Sequence, residues 1–283
     1  MTKDFKPDVA RRQGARFQLS HCVLPAWRAA EIESISARGS IALAFTGQSK
    51  AVVRASDGHA RLRAVPPLSV GLGGDVPIAW LETESASDIL EMTGSEELRR
   101  QIAREMGVES YAHLDDVHGW HDPIIQAIAT RLRAAVRGRI SVSDLEVETL
   151  ICAAYAQSLR RHFGGRDAMV KALDARRRQR VLEMVLAKAG GPLSLELLAE
   201  VAALSPFHFA RSFAVTFGMP PHQFVTIVRL ERAFELLRTS PVSVSHAAAA
   251  AGFVNLHHFR QLFRRQYGAQ PSEVARLLIN DRR

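Results

Sequence analysis

The sequence predicts an α+β protein in two parts: a β-rich and then helical N-terminal region, and an all-α, basic C-terminal region. Three observations predict it. Short segments with frequent turn signals come first, helical periodicity replaces them, and the excess positive charge lies entirely at the C-terminal end. Residues 1–175 hold 22 Lys and Arg against 22 Asp and Glu, whereas residues 176–283 hold 15 against 7, which accounts for the whole net charge of +8. A basic part joined to a neutral one suits a polyanionic partner for the first and a separate task for the second.

At 283 residues the chain has room for two domains of ordinary size. Hydrophobic content of 47% and charged content of 23% are those of a soluble globular protein. No apolar run approaches the ~18–20 residues that span a bilayer, so no membrane partner is expected. The N-terminal MTKDFKPDVARRQG lacks the apolar core of a secretory signal. Cys22 and Cys152 are far apart and outside any CxxC spacing, so they define neither a disulfide framework nor a zinc site. A cytoplasmic location follows as the expectation.

From about Phe17 to Glu84, segments such as SIALAFTG and AVVRA alternate with breaks at Asp57-Gly58, Pro66-Pro67 and Gly73-Gly74. That pattern predicts a small antiparallel barrel or sandwich. From Ser85 the period becomes helical. SDILEMTGSEELRRQIAREMG, DPIIQAIATRLRAAVRG and SDLEVETLICAAYAQSLRRHFGG each read as an amphipathic helix. The second opens with Asp122 as cap and Pro123 in the first turn, and the third stops at Gly164-Gly165. The chain therefore divides into residues 1–163, a linker at 164–176 and a domain at 177–283. In that last domain seven helices are expected: Arg176–Lys188, Leu193–Ala203, Ser205–Phe217, His222–Arg238, Ser243–Ala251, Asn255–Tyr267 and a short one after Pro271.

Two of those helices are near copies. SPFHFARSF begins at Ser205 and NLHHFRQLF at Asn255. At an offset of fifty, His208 meets His258, Phe209 meets Phe259, Phe213 meets Phe263 and Phe217 meets Tyr267. Gly218 meets Gly268 and Pro221 meets Pro271 at the same offset. The register slips by one before each helix, so the second copy has an extra residue in its preceding turn. Such correspondence marks a duplicated unit. In each copy a short apolar-striped helix leads through a tight turn into a capped second helix, which is a helix-turn-helix. Ser205 and Asn255 are the caps. The units fall at about 193–217 and 243–267.

Phe209, Phe213 and Phe217 recur every four residues and should face inward as core. The outward set is then Phe207, His208, Ala210, Arg211 and Ala214 in the first unit. In the second it is Leu256, His257, Arg260, Gln261 and Arg264. Reading helices meet the major groove with residues near their N-terminal ends. Arg pairs bidentately with guanine, Gln with adenine, and apolar groups meet a thymine methyl. Arg264 and Arg265, further along, suit phosphate.

The stretch from Ser194 to Leu277 resembles the DNA-binding domain of the AraC/XylS family of bacterial transcription regulators. The resemblance is carried by Leu198-Ala199, Ser205-Pro206-x-His-Phe, Arg211-x-Phe, Gly218-x-x-Pro221, Arg229-Leu230-x-x-Ala233, Leu236-Leu237, Gly252-Phe253, His258-Phe259 and Gly268-x-x-Pro271. It covers about 100 residues. It implies two helix-turn-helix units on one connecting helix, matched to residues 222–238, and two reading helices in successive major grooves of double-stranded DNA ~34 Å apart. Two departures stand out. Gln261 occupies a place where the family usually carries Arg, with Arg260 one position earlier, and Ala247 replaces a larger aliphatic residue. One position along a helix is a rotation of ~100°, so contacts do not carry over between 260 and 261. The first unit is the more conventional reader, with Arg211 its principal base contact.

The same resemblance implies an N-terminal sensor, a degenerate cupin-like barrel followed by dimerising helices, matched to 17–84 and 85–163. It brings a small-molecule effector, a homodimer, and RNA polymerase as a partner for an activator; helices 122–137 and 143–163 are read either as the dimer interface or as packed within the domain against the barrel. HLDDVHGWH, His113 to His121, lacks a recognised ligand geometry and reads as solvated linker rather than a metal site. His59 has no second His two residues away, so the paired-histidine pattern of metal-binding cupins is missing. No GxSxG, HExxH, P-loop or dinucleotide motif occurs. No cofactor or metal is expected. The function predicted is that of an effector-controlled, sequence-specific transcription regulator and not an enzyme. The rivals are a ligand-independent regulator, whose N-terminal domain only dimerises, and a cupin enzyme fused to a DNA-binding domain.

Overall fold

A computed structural model describes residues 7–27, 34–35, 37–54, 58–74, 79–108, 117–165 and 170–280. The described chain forms two compact units, Met1–Arg139 with Leu150–Ala168, and Ile140–Thr149 with Met169–Arg283.

Among its described residues the first unit holds ten strands: β1 Asp8–Gln13, β2 Phe17–Leu24, β3 Ser34–Ile35, β4 Ile41–Ala44, β5 Gln48–Arg54, β6 Ala60–Val65, β7 Ser69–Leu72, β8 Ala79–Thr83, β9 Ser87–Gly94 and β10 Val117–Trp120. They form two antiparallel sheets rather than one closed barrel, ordered β1-β2-β9-β4-β7-β10 and β3-β8-β5-β6. Helix α1 spans Glu96–Glu105, α2 Pro123–Val136 and α3 Asp144–His162.

One stretch expected as helix is a strand. Residues 87–94 make β9, and the helix starts only after Ser95, whose side chain accepts the Leu98 N–H. The apolar positions of SDILEMTG fit either period. Pairing decides it, because β9 lies between β2 and β4 and makes ladder bonds to both. β1 precedes the region read as β-rich, and β10 occupies part of the presumed linker, paired with β7. His113–Asp116 lie outside the described residues.

The six-stranded sheet has two unlike faces. Leu19, Ile41, Leu43, Leu90 and Met92 are fully buried. Helix α2 packs on β1, β2, β4 and β9, with Ile125, Ile128, Ala129 and Leu132 buried. The apolar stripe of α2, expected as an exposed dimerisation face, is thus used within the chain, and only Ile124 among its large apolar residues is exposed. The helix end is tied down by polar contacts. Arg137 donates from Nε to His21 Nδ1 and from NH1 to Asp8 Oδ1, and His21 meets Asp88 through Nε2 at 2.7 Å. A guanidinium only donates, so the His21 ring accepts at Nδ1 and carries its proton on Nε2, toward Asp88.

The second unit is helical: α4 Ala175–Lys188, α5 Leu195–Val201, α6 Pro206–Phe217, α7 Pro221–Thr239, α8 Val244–Ala250, α9 Leu256–Tyr267 and α10 Pro271–Asn280. Asp174 caps α4, which therefore begins inside the stretch expected as linker. Of that stretch, 166–169 lie outside the described residues. One aromatic from α7 serves each reading helix. Phe224 meets Phe213 and Phe217 at 5.5 and 5.0 Å, and Phe234 meets Phe263 and Tyr267 at 6.1 and 4.7 Å. Around the second set lies a core of small residues, with Ala247, Ala248 and Ala251 buried against Phe259 and Phe263. Among the described residues no helix is long and apolar enough to cross a membrane.

Candidate nucleic-acid interface and ligand cavity

Both copies of the duplicated unit are built by the same local bonds. Ser194 Oγ accepts the Leu197 N–H at the start of α5, as Ser243 Oγ accepts the His246 N–H at the start of α8, each at 3.1 Å. Ser205 Oγ accepts the His208 N–H at 3.0 Å, and Asn255 Oδ1 the His258 N–H at 2.9 Å. Each cap satisfies a first-turn donor and sets where its reading helix begins. At the other end Gly218 and Gly268 adopt φ of 70° and 72° and donate to Ala214 O and Arg264 O.

The turns differ. Ala203 takes φ 50° where the second unit has Gly252 at φ 89°. A side chain in that region costs about 1–2 kcal/mol that glycine avoids. Ala203 is exposed, so nothing else hinges on its methyl group. Ala203→Gly is expected to stabilise the C-terminal unit by about 1 kcal/mol. A higher urea midpoint for the loss of its helical signal checks this, and a lower one would contradict it.

The second unit's extra turn residue is Val254, which is 100% exposed. It packs on nothing, and it stands immediately before the cap of α9.

On α9, His257, Arg260, Gln261, Arg264 and Arg265 are exposed together. The Gln261 amide nitrogen lies 2.9 Å from His257 Nε2, one turn earlier on the same face. Leu256, expected outward, is half-buried against the core of its unit.

On α6, His208 is exposed, and Ala210, Arg211 and Ala214 are half-buried. Phe207 was expected outward and is instead 3% exposed. The reason is that α6 packs on both α5 and α7, so its buried arc takes in Pro206, Phe207 and Ser212 as well as Phe209 and Phe213. A single stripe of aromatics underestimates that arc. Phe207 still bears on the surface, because the Arg211 guanidinium lies over its ring at 5.1 Å. The ring's negative face holds the cation in place.

Arg229, in the middle of α7, ties that helix to the turn after α4. Its Nε donates to Ala189 O and one NH2 to Gly191 O, both at 2.8 Å. These carbonyls lie just past the C-terminus of α4, where backbone acceptors lack helical partners and the helix dipole favours a cation. Burial lowers the Arg229 pKa from its ordinary value. Two glycines let the backbones meet at this joint. A Cβ at Gly190 would lie 2.7 Å from Ala250 O, and one at Gly252 would lie 2.7 Å from Ala189 O.

The first unit contains a cavity of about 450 Å³ between its two sheets. The six-stranded sheet lines it with small residues, Cys22, Ala42, Ala44, Ser69, Gly71 and Ser87, and this is why the space exists. The four-stranded sheet contributes Gln48, Arg63 and Trp80. His118, placed by sequence in a linker, lines the cavity from β10. Burial pushes the Cys22 thiol up, with Glu91 adding to the effect and a bond to Ser20 opposing it. Neither Cys22 nor Cys152 is in a disulfide.

A family model described as a helix-turn-helix domain matches residues 198–277. An HTH-type transcriptional regulator of Haemophilus influenzae is 28% identical over 163 residues, 58% of this chain and 54% of the relative. The HTH-type transcriptional activator RhaS of Escherichia fergusonii is 38% identical over 82 residues, 29% of this chain and 30% of the relative. The chain thus spans about half the length of the first and under a third of the second. A solved structure from Rhodopseudomonas palustris, a probable AraC family transcriptional regulator, is 31% identical. It covers 36% of this chain and 96% of its own, with a TM-score of 0.34.

Proposed function

Because the chain belongs to the AraC/XylS family, we propose that it is a sequence-specific transcription regulator that reads two successive major grooves of double-stranded DNA with α6 and α9. The observation that supports this most is the twice-built unit with unlike outer residues. The caps and aromatic props repeat, whereas the exposed residues of α6 and α9 do not. Base-reading falls to His208 and Arg211 in the first unit, and to His257, Arg260 and Gln261 in the second. Arg264 and Arg265 hold phosphate, and Val254 offers a methyl-bearing contact at the mouth of the second groove. Phe207 and Leu256 act from beneath, as support.

Effector control is proposed for the first unit, and the cavity between its sheets is the observation that favours it over a ligand-independent regulator. A homodimer, contact with RNA polymerase at activated promoters and a cytoplasmic location complete the reading. The N-terminal unit is taken as a binding domain and not as an enzyme.

The test begins with DNA fragments that the protein retains from its own genome. Arg211→Ala is expected to weaken binding by about 1–3 kcal/mol, roughly fivefold to 150-fold, and to relax preference at one base position. Arg264→Ala is expected to weaken all sequences alike and to reduce the slope of log affinity against log salt by about one. Unchanged affinity and preference in Arg211→Ala would remove α6 from the interface.

A further inference from the structure

We infer that the cavity between the two sheets takes an organic monocarboxylate with an apolar body, held by the Arg63 guanidinium and the Thr83 hydroxyl. The inference rests on the effector-binding reading of the N-terminal unit, and it names the class of effector.

Two polar groups of the cavity wall, on Arg63 and Thr83, carry the inference. Arg63 NH1 and Thr83 Oγ1 are out of contact with water and have no hydrogen-bond partner among the described residues. Thr83 is only 3% exposed. A donor kept dry and unbonded is costly, and more so when it is charged. One carboxylate answers both groups, accepting from the guanidinium N–H and from the threonine O–H.

The remaining polar groups narrow the class. Gln48 is the amide that a sugar or other polyol would use, and it is already saturated. Its Nε2 donates to Ser85 O, Ala86 O and Ser87 Oγ, and its Oε1 accepts from the Ser85 N–H and O–H. Glu91 lines the cavity from the opposite sheet and has an interaction of its own. Its negative charge disfavours a dianion such as a phosphate ester or a dicarboxylate. The apolar part of the wall includes the rings of Trp27 and Trp80 with Leu24, Val65 and Ile89, which suits an aromatic or branched aliphatic body.

The experiment titrates the full chain with 3-phenylpropanoate, its amide and 3-phenylpropylamine, three molecules of nearly one shape and different charge. Tryptophan fluorescence is the signal, since two of the three tryptophans line the cavity. Saturable binding is expected for the acid, binding at least about tenfold weaker for the amide, and none for the amine. Arg63→Gln is expected to bring the acid down to the level of the amide. The acid–amide comparison needs no variant, so it stands whether or not Arg63→Gln folds. Equal binding of acid and amide overturns the carboxylate class and leaves the effector site in place. No saturable change with any of the three at millimolar concentration overturns the class and the effector-binding reading together.

Discussion

Gly252→Ala is expected to destabilise the C-terminal unit by about 2–4 kcal/mol, a large loss for one methyl group. Two costs combine. The residue sits at φ 89°, where a side chain is strained. Its Cβ would also lie 2.7 Å from Ala189 O, 3.0 Å from Arg229 Nε and 3.2 Å from the Gly190 carbonyl carbon. All but the guanidinium are backbone, so they cannot swing away as the tip of a long side chain can. The methyl group would intrude on the bond between Arg229 and Ala189. With two units present, a single unfolding curve for the whole chain is not two-state. The effect is best read by hydrogen exchange on peptides from residues 175–280, where protection should fall while that of residues 7–139 stays unchanged. Protection equal to that of the unmodified protein would show that the turn has room after all. Ala203→Gly is the reverse substitution at the equivalent turn, and its opposite sign follows from the same preference for glycine at positive φ.

Arg229→Met is expected to cost about 2–4 kcal/mol and to weaken DNA binding without touching any base. Methionine fills much of the volume but offers no donor, so Ala189 O and Gly191 O lose their partner at the end of α4. Lysine should rescue only in part. One ammonium group is a compact point charge, whereas the guanidinium presents two separate edges to two carbonyls. No carboxylate pairs with Arg229 among the described residues, so raising the salt concentration should not mimic the substitution. The outcome that counts against this account is a fully stable Arg229→Met protein whose DNA binding is intact.

Much of the second unit was legible in the sequence because its signals are local. Ser194, Ser205, Ser243 and Asn255 cap the helices they precede, and Gly218 and Gly268 close them. The four-residue spacing of phenylalanines located the core of both reading helices. Phe207 was misread because its burial depends on α5 and α7 flanking α6 together, which a helical wheel does not include. In the first unit the decisive facts are pairings between distant strands. Residues 87–94 are a strand because β2 and β4 are there to bond them, and their own apolar pattern is indifferent. The cavity was illegible for a related reason. Cys22, Ala42, Ser69 and Ser87 are unremarkable small residues until three ladder registers align them on one face. Arg63, in a strand rich in arginine, gave no sign of which guanidinium turns inward.

The joint formed by Arg229, Gly190 and Gly252 has a consequence for the DNA under the proposed function. Two reading heads anchored at one point cannot stretch or swivel to suit a target, so the duplex must bend or twist to present both grooves at the required separation. Base pairs between the two contacted segments then affect affinity without being touched, through the energy needed to deform them. Flexible pyrimidine–purine steps there should favour binding and stiff A-tracts should oppose it. Part of this protein's sequence preference would thus be written in the mechanics of the spacer.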